Sequence, residues 1–211
     1  MTERLDAFHP HWEPSREKNA LMLLLLHGTG GDEHQLVPLA RQIMNGRPAS
    51  LLGIRGRVKE GSSNRFFRRI REGVFDEKDL VARAHELAGA LDDAQAEYGF
   101  EPDRVIAVGY SNGANMAASL LLLHLETLGG AILFRAMMPL EPETIPAVEG
   151  KWIAILEGES DPWAPADQGE RLAEILRNGG AEVKFSIRTG GHDLTEQDIT
   201  IASEWLATKP F

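Results

Sequence analysis

The 211-residue sequence contains no cysteine. Disulfides, thiolate zinc sites and cysteine nucleophiles are therefore excluded. Basic residues are in deficit, with 22 Lys and Arg against 32 Asp and Glu and a net charge of −10. That balance argues against general nucleic-acid binding, which draws on a basic face. Long apolar runs are absent too. The longest, Ala20 to Leu26, falls far short of the roughly 20 residues that span a bilayer. The N-terminus shows no apolar signal core, so a cytoplasmic protein with no membrane partner is expected. The remaining composition, 43% apolar and 26% charged, is ordinary for a globular chain with a sizeable core.

A single domain over residues 1–211 is expected, with no linker and no internal repeat. Residues 1–19 are polar and read as a peripheral segment with one short strand at Leu5 to His9. From Ala20 onward the pattern alternates. Apolar strands at 20–26, 50–54, 104–108, 130–134, 152–156 and 182–187 are interleaved with helical stretches at 35–44, 77–98, 113–125, 166–178 and 194–207. Repeated βα alternation with continuously apolar strands predicts an α/β fold, a mostly parallel sheet covered on both faces. Arg55 to Gly73 breaks the pattern: it is rich in arginine and glycine, without period, and reads as one long connection.

Gly109-Tyr110-Ser111-Asn112-Gly113 sits where an apolar strand meets a helix. A serine between two glycines at such a junction is the sequence form of a nucleophile elbow. The pentapeptide alone is weak, since roughly one chain in ten of this composition would hold it by chance. The context adds to it. An acid and a histidine follow in order, Asp161 after the strand at 152–156 and His192 after the strand at 182–187, 50 and 31 residues on. Each gap holds about one βα unit, so all three can share one sheet edge. The chemistry needs all three: imidazole takes the serine proton, and a carboxylate fixes the imidazole tautomer.

Asp193 is the less suitable acid, because adjacent side chains in an extended loop point apart from His192. Asp167 reads as a first-turn acid of the next helix. Of the other histidines, His85 and His124 fall within helices, His9 and His11 in the N-terminal segment, and His27 beside a glycine turn that it would order. That turn, His27-Gly28-Thr29-Gly30-Gly31, reads as an oxyanion loop. The Thr29 N–H would pair with the Asn112 N–H as donors. No motif supports a metal site. In the arginine-rich stretch, Phe66 or Phe67 would meet substrate while Arg68 and Arg69 stand at the rim and favour an anionic or polar acid portion. Met137 and Trp163 are further candidates for the pocket wall.

The strings His27 to Glu33, Gly109 to Asn115, Asp161-Pro162 and Gly191-His192 resemble the phospholipase/carboxylesterase family of α/β-hydrolases, which includes acyl-protein thioesterases. Arg65 to Arg69 with Glu72 to Asp76 is similar to the small bacterial carboxylesterase branch. The resemblance runs from about residue 20 to 207. It implies a Ser111, Asp161, His192 triad, oxyanion donors at Thr29 and Asn112, no cofactor, and a small-molecule ester as partner. A homodimer is compatible with it. Eukaryotic thioesterases of the family usually carry leucine at the Thr29 position and glutamine at the Asn112 position, so hydrolysis of lipidated proteins is not implied. No insertion between 134 and 152 is long enough for a separate helical cap, which implies an open site. The expectation is a serine carboxylic-ester hydrolase. An acyl thioesterase, a lysophospholipase and a carbon–carbon bond hydrolase use the same triad. A catalytically silent, hydrolase-like binding protein is the alternative from another class.

Overall fold

The computed structural model describes residues 2–209. The strands are β1 (His11–Glu13), β2 (Leu21–Leu26), β3 (Ala49–Ile54), β4 (Val58–Glu60), β5 (Ser63–Arg65), β6 (Arg69–Arg71), β7 (Val74–Phe75), β8 (Val105–Tyr110), β9 (Gly130–Phe134), β10 (Trp152–Gly158) and β11 (Glu182–Arg188). The helices are α1 (Glu3–Asp6), α2 (Val37–Met44), α3 (Glu77–Tyr98), α4 (Asn112–Leu123), α5 (Ala166–Asn178) and α6 (Glu196–Ala207).

Seven strands form the central sheet in the order β1-β3-β2-β8-β9-β10-β11. All pairings are parallel except that of β1 with β3. The period of two along each strand supplies two cores. On β2, Met22, Leu24 and Leu26 join one cluster with α3, α4 and α5. Leu21, Leu23 and Leu25 join the other with α2 and α6. Every β2 side chain is buried, the signature of a central strand covered on both faces. The mostly parallel, doubly covered sheet inferred from the alternation is observed, as is the α/β-hydrolase architecture that the resemblance implies. Residues 135–151 contain no helix, and no described helix is long and apolar enough to cross a membrane.

Two local expectations are corrected. Leu5 to His9 is not a strand. Thr2 caps α1 by accepting the Leu5 N–H, and Leu5 and Phe8 plug into the core. The strand of this segment comes later, as β1 on the sheet edge. Leu5, Phe8 and β1 thus tie this segment into the core and the sheet edge. The stretch Arg55 to Gly73 is not one irregular connection either. It forms hairpin β4–β5 and the first strand of hairpin β6–β7. Strands of three residues are too short to show an alternation, which hid them in the sequence. Gly73, at φ +71°, makes the turn of the second hairpin in a conformation that L-residues resist.

A close backbone approach positions the start of α4. A Cβ on Gly113 would stand 2.0 Å from the Leu26 carbonyl oxygen and 2.6 Å from that of His27. Only glycine lets the helix come this close to β2. Gly113→Ala is expected to lose roughly 1–3 kcal/mol or more of stability through overpacking. Urea unfolding checks this, and an unchanged midpoint would contradict the close approach.

Candidate active site

Five neighbouring parallel strands, β2, β8, β9, β10 and β11, end at the same sheet edge. The residue that follows each strand, or comes soon after, enters the site: Thr29 after β2, Ser111 after β8, Arg135 after β9, Asp161 after β10 and His192 after β11. Residues scattered over the sequence therefore meet because their strands run the same way.

Ser111 is the N-cap of α4, with φ +52° and ψ −114°. A non-glycine residue there stores strain on the order of 1–3 kcal/mol. Two backbone bonds hold it, from the Ser111 N–H to the Phe134 carbonyl at 2.9 Å and from the Asn115 N–H to the Ser111 carbonyl at 3.0 Å. Its Oγ lies 2.9 Å from His192 Nε2, and His192 Nδ1 lies 2.7 Å from Asp161 Oδ2. The Asp161 side chain is fully buried, and its Oδ1 accepts the N–H groups of Trp163 (2.8 Å) and Ala164 (3.0 Å). A carboxylate so occupied acts as acceptor toward the imidazole. That puts the His192 proton on Nδ1 and turns the Nε2 lone pair toward the serine hydroxyl.

The competing acids stand elsewhere. Asp193 is exposed, and its role in the loop is through its carbonyl. Asp167 sits exposed in the first turn of α5. His27 is buried, and Gly56 donates its N–H to Nε2 while Nδ1 meets the Gly28 carbonyl at 2.6 Å. Burial lowers its pKa, so it orders the loop as a neutral ring. Among the described residues, no three His, Asp or Glu side chains are grouped to hold a metal.

The Thr29 and Asn112 N–H groups border a cavity of about 280 Å³ that contains Ser111 and His192. Neither N–H has an acceptor among the described residues. The Asn112 side chain accepts the Phe66 N–H at 2.7 Å, which ties the hairpin region to the elbow. Trp163 and Met137 line the cavity, as does Arg69. Phe66, Phe67 and Arg68 do not. Both phenylalanines are buried in the core, Phe67 edge-on to Phe75. Arg68 points to Asp76 and Asp79 at 3.3 and 3.4 Å. Phe66, Phe67 and Arg68 lie in the bend between β5 and β6, whereas the strand residues flanking that bend, the expected Arg69 and the unexpected Arg65, line the cavity.

Two buried groups behind the site escaped the sequence reading. Arg135, Arg188 and Asp198 form an ion cluster almost without solvent exposure. Asp198 accepts from Arg135 Nη1 and Nη2 at 3.0 and 2.8 Å and from Arg188 Nε at 2.6 Å. The guanidiniums also bind the loop that carries His192. Arg135 donates to the Gly191 and Asp193 carbonyls at 3.1 and 3.0 Å, and Arg188 to those of Thr189 and Asp193. Glu157, on β10, accepts the Ala136 N–H with one oxygen and has no partner for the other. Burial pushes its carboxyl well above the usual range. The Ala136 N–H and Arg135 oppose that shift, and Asp161 and Asp198 add to it. The signal for these groups was only their type: charged residues inside or beside apolar strands.

Comparisons with known proteins show the family and the fold. The model of the family described as Phospholipase/Carboxylesterase matches residues 67–209. MhqD of Bacillus subtilis (strain 168), provisionally named a hydrolase, is 47% identical over 87% of this chain and 91% of its own. The crystal structure of the Bacillus cereus carboxylesterase superposes with a TM-score of 0.91 at 39% identity, covering 98% of this chain and 99% of that one. The structure of YahD with malic acid superposes at 0.87 with 29% identity, covering 94% and 97%.

The raised Glu157 pKa has a sign that can be tested. The folded protein holds a proton that the unfolded chain releases above about pH 4.5, the carboxyl's ordinary value. Stability is therefore lost as pH rises from there toward the folded value. Glu157→Gln is expected to come closest to wild type near pH 4.5 and to gain on it as pH rises above that value. Thermal melts over a series of pH values check it, and parallel curves for the two proteins would contradict it.

Proposed function

The chain belongs to the phospholipase/carboxylesterase family of α/β-hydrolases, and we propose that it hydrolyses small to medium carboxylic esters through an acyl-enzyme on Ser111. The observation that carries this reading is the chain Ser111 Oγ–His192 Nε2–Asp161 Oδ2, with links of 2.9 and 2.7 Å.

Ser111 Oγ attacks the ester carbonyl carbon while His192 Nε2 takes the hydroxyl proton. Asp161, already accepting at Nδ1–H, stabilises the imidazolium that forms. The carbonyl oxygen becomes an oxyanion and meets the unpaired N–H groups of Thr29 and Asn112. The intermediate collapses, the C–O bond to the alcohol breaks, and Nε2 returns its proton to the leaving oxygen. A water molecule then attacks the acyl-serine and gives its proton to Nε2. Collapse releases the carboxylic acid and restores the serine hydroxyl.

Size supports modest substrates. A cavity of about 280 Å³ lies just below the usual range of ligand pockets, which starts at about 300 Å³. YahD, at 29% identity, was solved with malic acid, a ligand of that scale. Buried lipid chains do not fit this reading.

Ser111→Ala is expected to lose on the order of 10⁴-fold or more in the turnover of short nitrophenyl esters. A fluorophosphonate should label wild type and spare the variant. Retention of a tenth of the turnover would overturn the assignment. Acyl thioesters run beside the esters separate the two activities of the same triad. In a second experiment, Asp161→Asn should cost far more in kcat than Asp193→Asn, because only Asp161 holds the His192 tautomer. The reverse order would move the acid.

A further inference from the structure

Arg65 is a cation that the protein buries and leaves incompletely paired. It ends β5, and its side chain is only 5% exposed. Nε donates to the Phe67 carbonyl at 3.2 Å, and Nη1 donates to Thr29 Oγ1 at 2.7 Å. The nearest carboxylate oxygen is Glu60 Oε2, 3.4 Å from Nη1. Glu60 is 44% exposed and is engaged more closely by Arg69, at 3.0 Å. Nη2 has no partner among the described residues. Burial and the neighbouring Arg69 lower the Arg65 pKa, with Glu60 opposing. A guanidinium nevertheless keeps its charge.

The other cations of the cavity differ. Arg135 is matched by buried Asp198. Arg69 is held by Glu60 and Glu72. Among the described residues that line the cavity containing Ser111, Arg65 alone of the arginines has a terminal guanidinium nitrogen without a partner. A buried charge without a close counter-ion is costly, and an arriving carboxylate would relieve that cost. The position is also specific. The hydroxyl that Arg65 grips belongs to Thr29, whose N–H is a proposed oxyanion donor. An anion on Arg65 therefore lies close to the ester carbonyl.

We propose that Arg65 is a substrate-binding residue that selects esters carrying a carboxylate a few bonds from the scissile carbonyl. This rests on the ester-hydrolase reading of Ser111. The carboxylate can belong to the acid portion, as in a half-ester of a short dicarboxylic acid, or to the leaving alcohol. Both present the same group to the guanidinium. Glu60 competes with substrate for Arg65, so its charge tunes the selection.

The test compares kcat/KM within two matched pairs. Monoethyl succinate against ethyl 4-methylpentanoate places the carboxylate on the acid portion. 3-Acetoxypropanoate against 3-methylbutyl acetate places it on the alcohol. Wild type should prefer the anionic member of one pair by roughly tenfold or more, and that pair identifies the source. Arg65→Met should lower that preference by about 10- to 100-fold, the range for a lost hydrogen bond to a charged group. Arg65→Lys should keep part of it. Glu60→Gln should raise it. Because Glu60 is exposed, that variant and Arg65→Lys carry the test should Arg65→Met fail to fold. No preference in either pair overturns the proposal, as does a preference that neither Glu60→Gln nor an Arg65 variant moves. Turnover of the neutral esters and fluorophosphonate labelling of wild type separate this failure from failure of the hydrolase reading. A silent Ser111 sinks both, whereas active but indifferent hydrolysis sinks only the Arg65 subsite.

Discussion

The near-contact of helix α4 with strand β2 sets the terms for the site. With no side chain at Gly113, the helix begins against the Leu26 and His27 carbonyls. The chain must then turn within one residue, and Ser111 takes the left-handed conformation that results. Strain in one residue is tolerable because α4 is buried along nearly its whole length, and its packing outweighs a few kcal/mol. The strained residue has no freedom to relax, so its hydroxyl stays aimed at His192. The same approach leaves the first N–H groups of α4 without carbonyl partners. One of them is the Asn112 N–H at the cavity.

Precision on the histidine side is obtained differently. The His192 loop has no regular structure, and loops of that kind are ordinarily mobile. Here Arg135 and Arg188 bind three of its carbonyls, and Asp198 binds both guanidiniums. Asp198 also accepts the Thr195 N–H at 2.8 Å and so closes the start of α6. A buried cluster of this type is a weak source of net stability, since desolvation offsets attraction. Its value is directional: several hydrogen bonds on each group leave one arrangement satisfied. The elbow is held by sterics and the histidine by hydrogen bonds, and they meet at a 2.9 Å contact.

The sequence was legible where a residue's role follows from its place along the chain. Strands β2, β8, β9, β10 and β11 declared themselves by unbroken or alternating apolar residues, and the parallel order put Ser111, Asp161 and His192 at one edge. Thr29 and Asn112 followed from the turns after β2 and β8. The pocket wall was less legible. Phe66 and Phe67 looked like substrate contacts, yet both lie in the bend that leaves β5 and both turn into the core, and the course of that bend is set by the strand that pairs with β5. That partner, β4, is three residues long and leaves no trace in the hydrophobic pattern. Arg65 was for the same reason indistinguishable from the solvated arginines around it. Arg135 lies 63 residues from Asp198, and nothing local marks a strand-end charge whose counter-ion arrives from a helix. The N-terminal helix α1 is a single capped turn, shorter than any period can reveal.

Strand β1 has a consequence beyond the site. It is three residues long, half-buried, and it covers the outer edge of β3, while Trp12 stacks on Tyr98 at 4.4 Å. Without it, β3 would offer a six-residue open edge next to Leu51, Leu52 and Ile54, a template on which a second chain could add. A short, bounded strand ends the sheet before it can grow. What β1 withholds is a site for strand addition, and a version trimmed to begin at β2 would expose that edge to other chains.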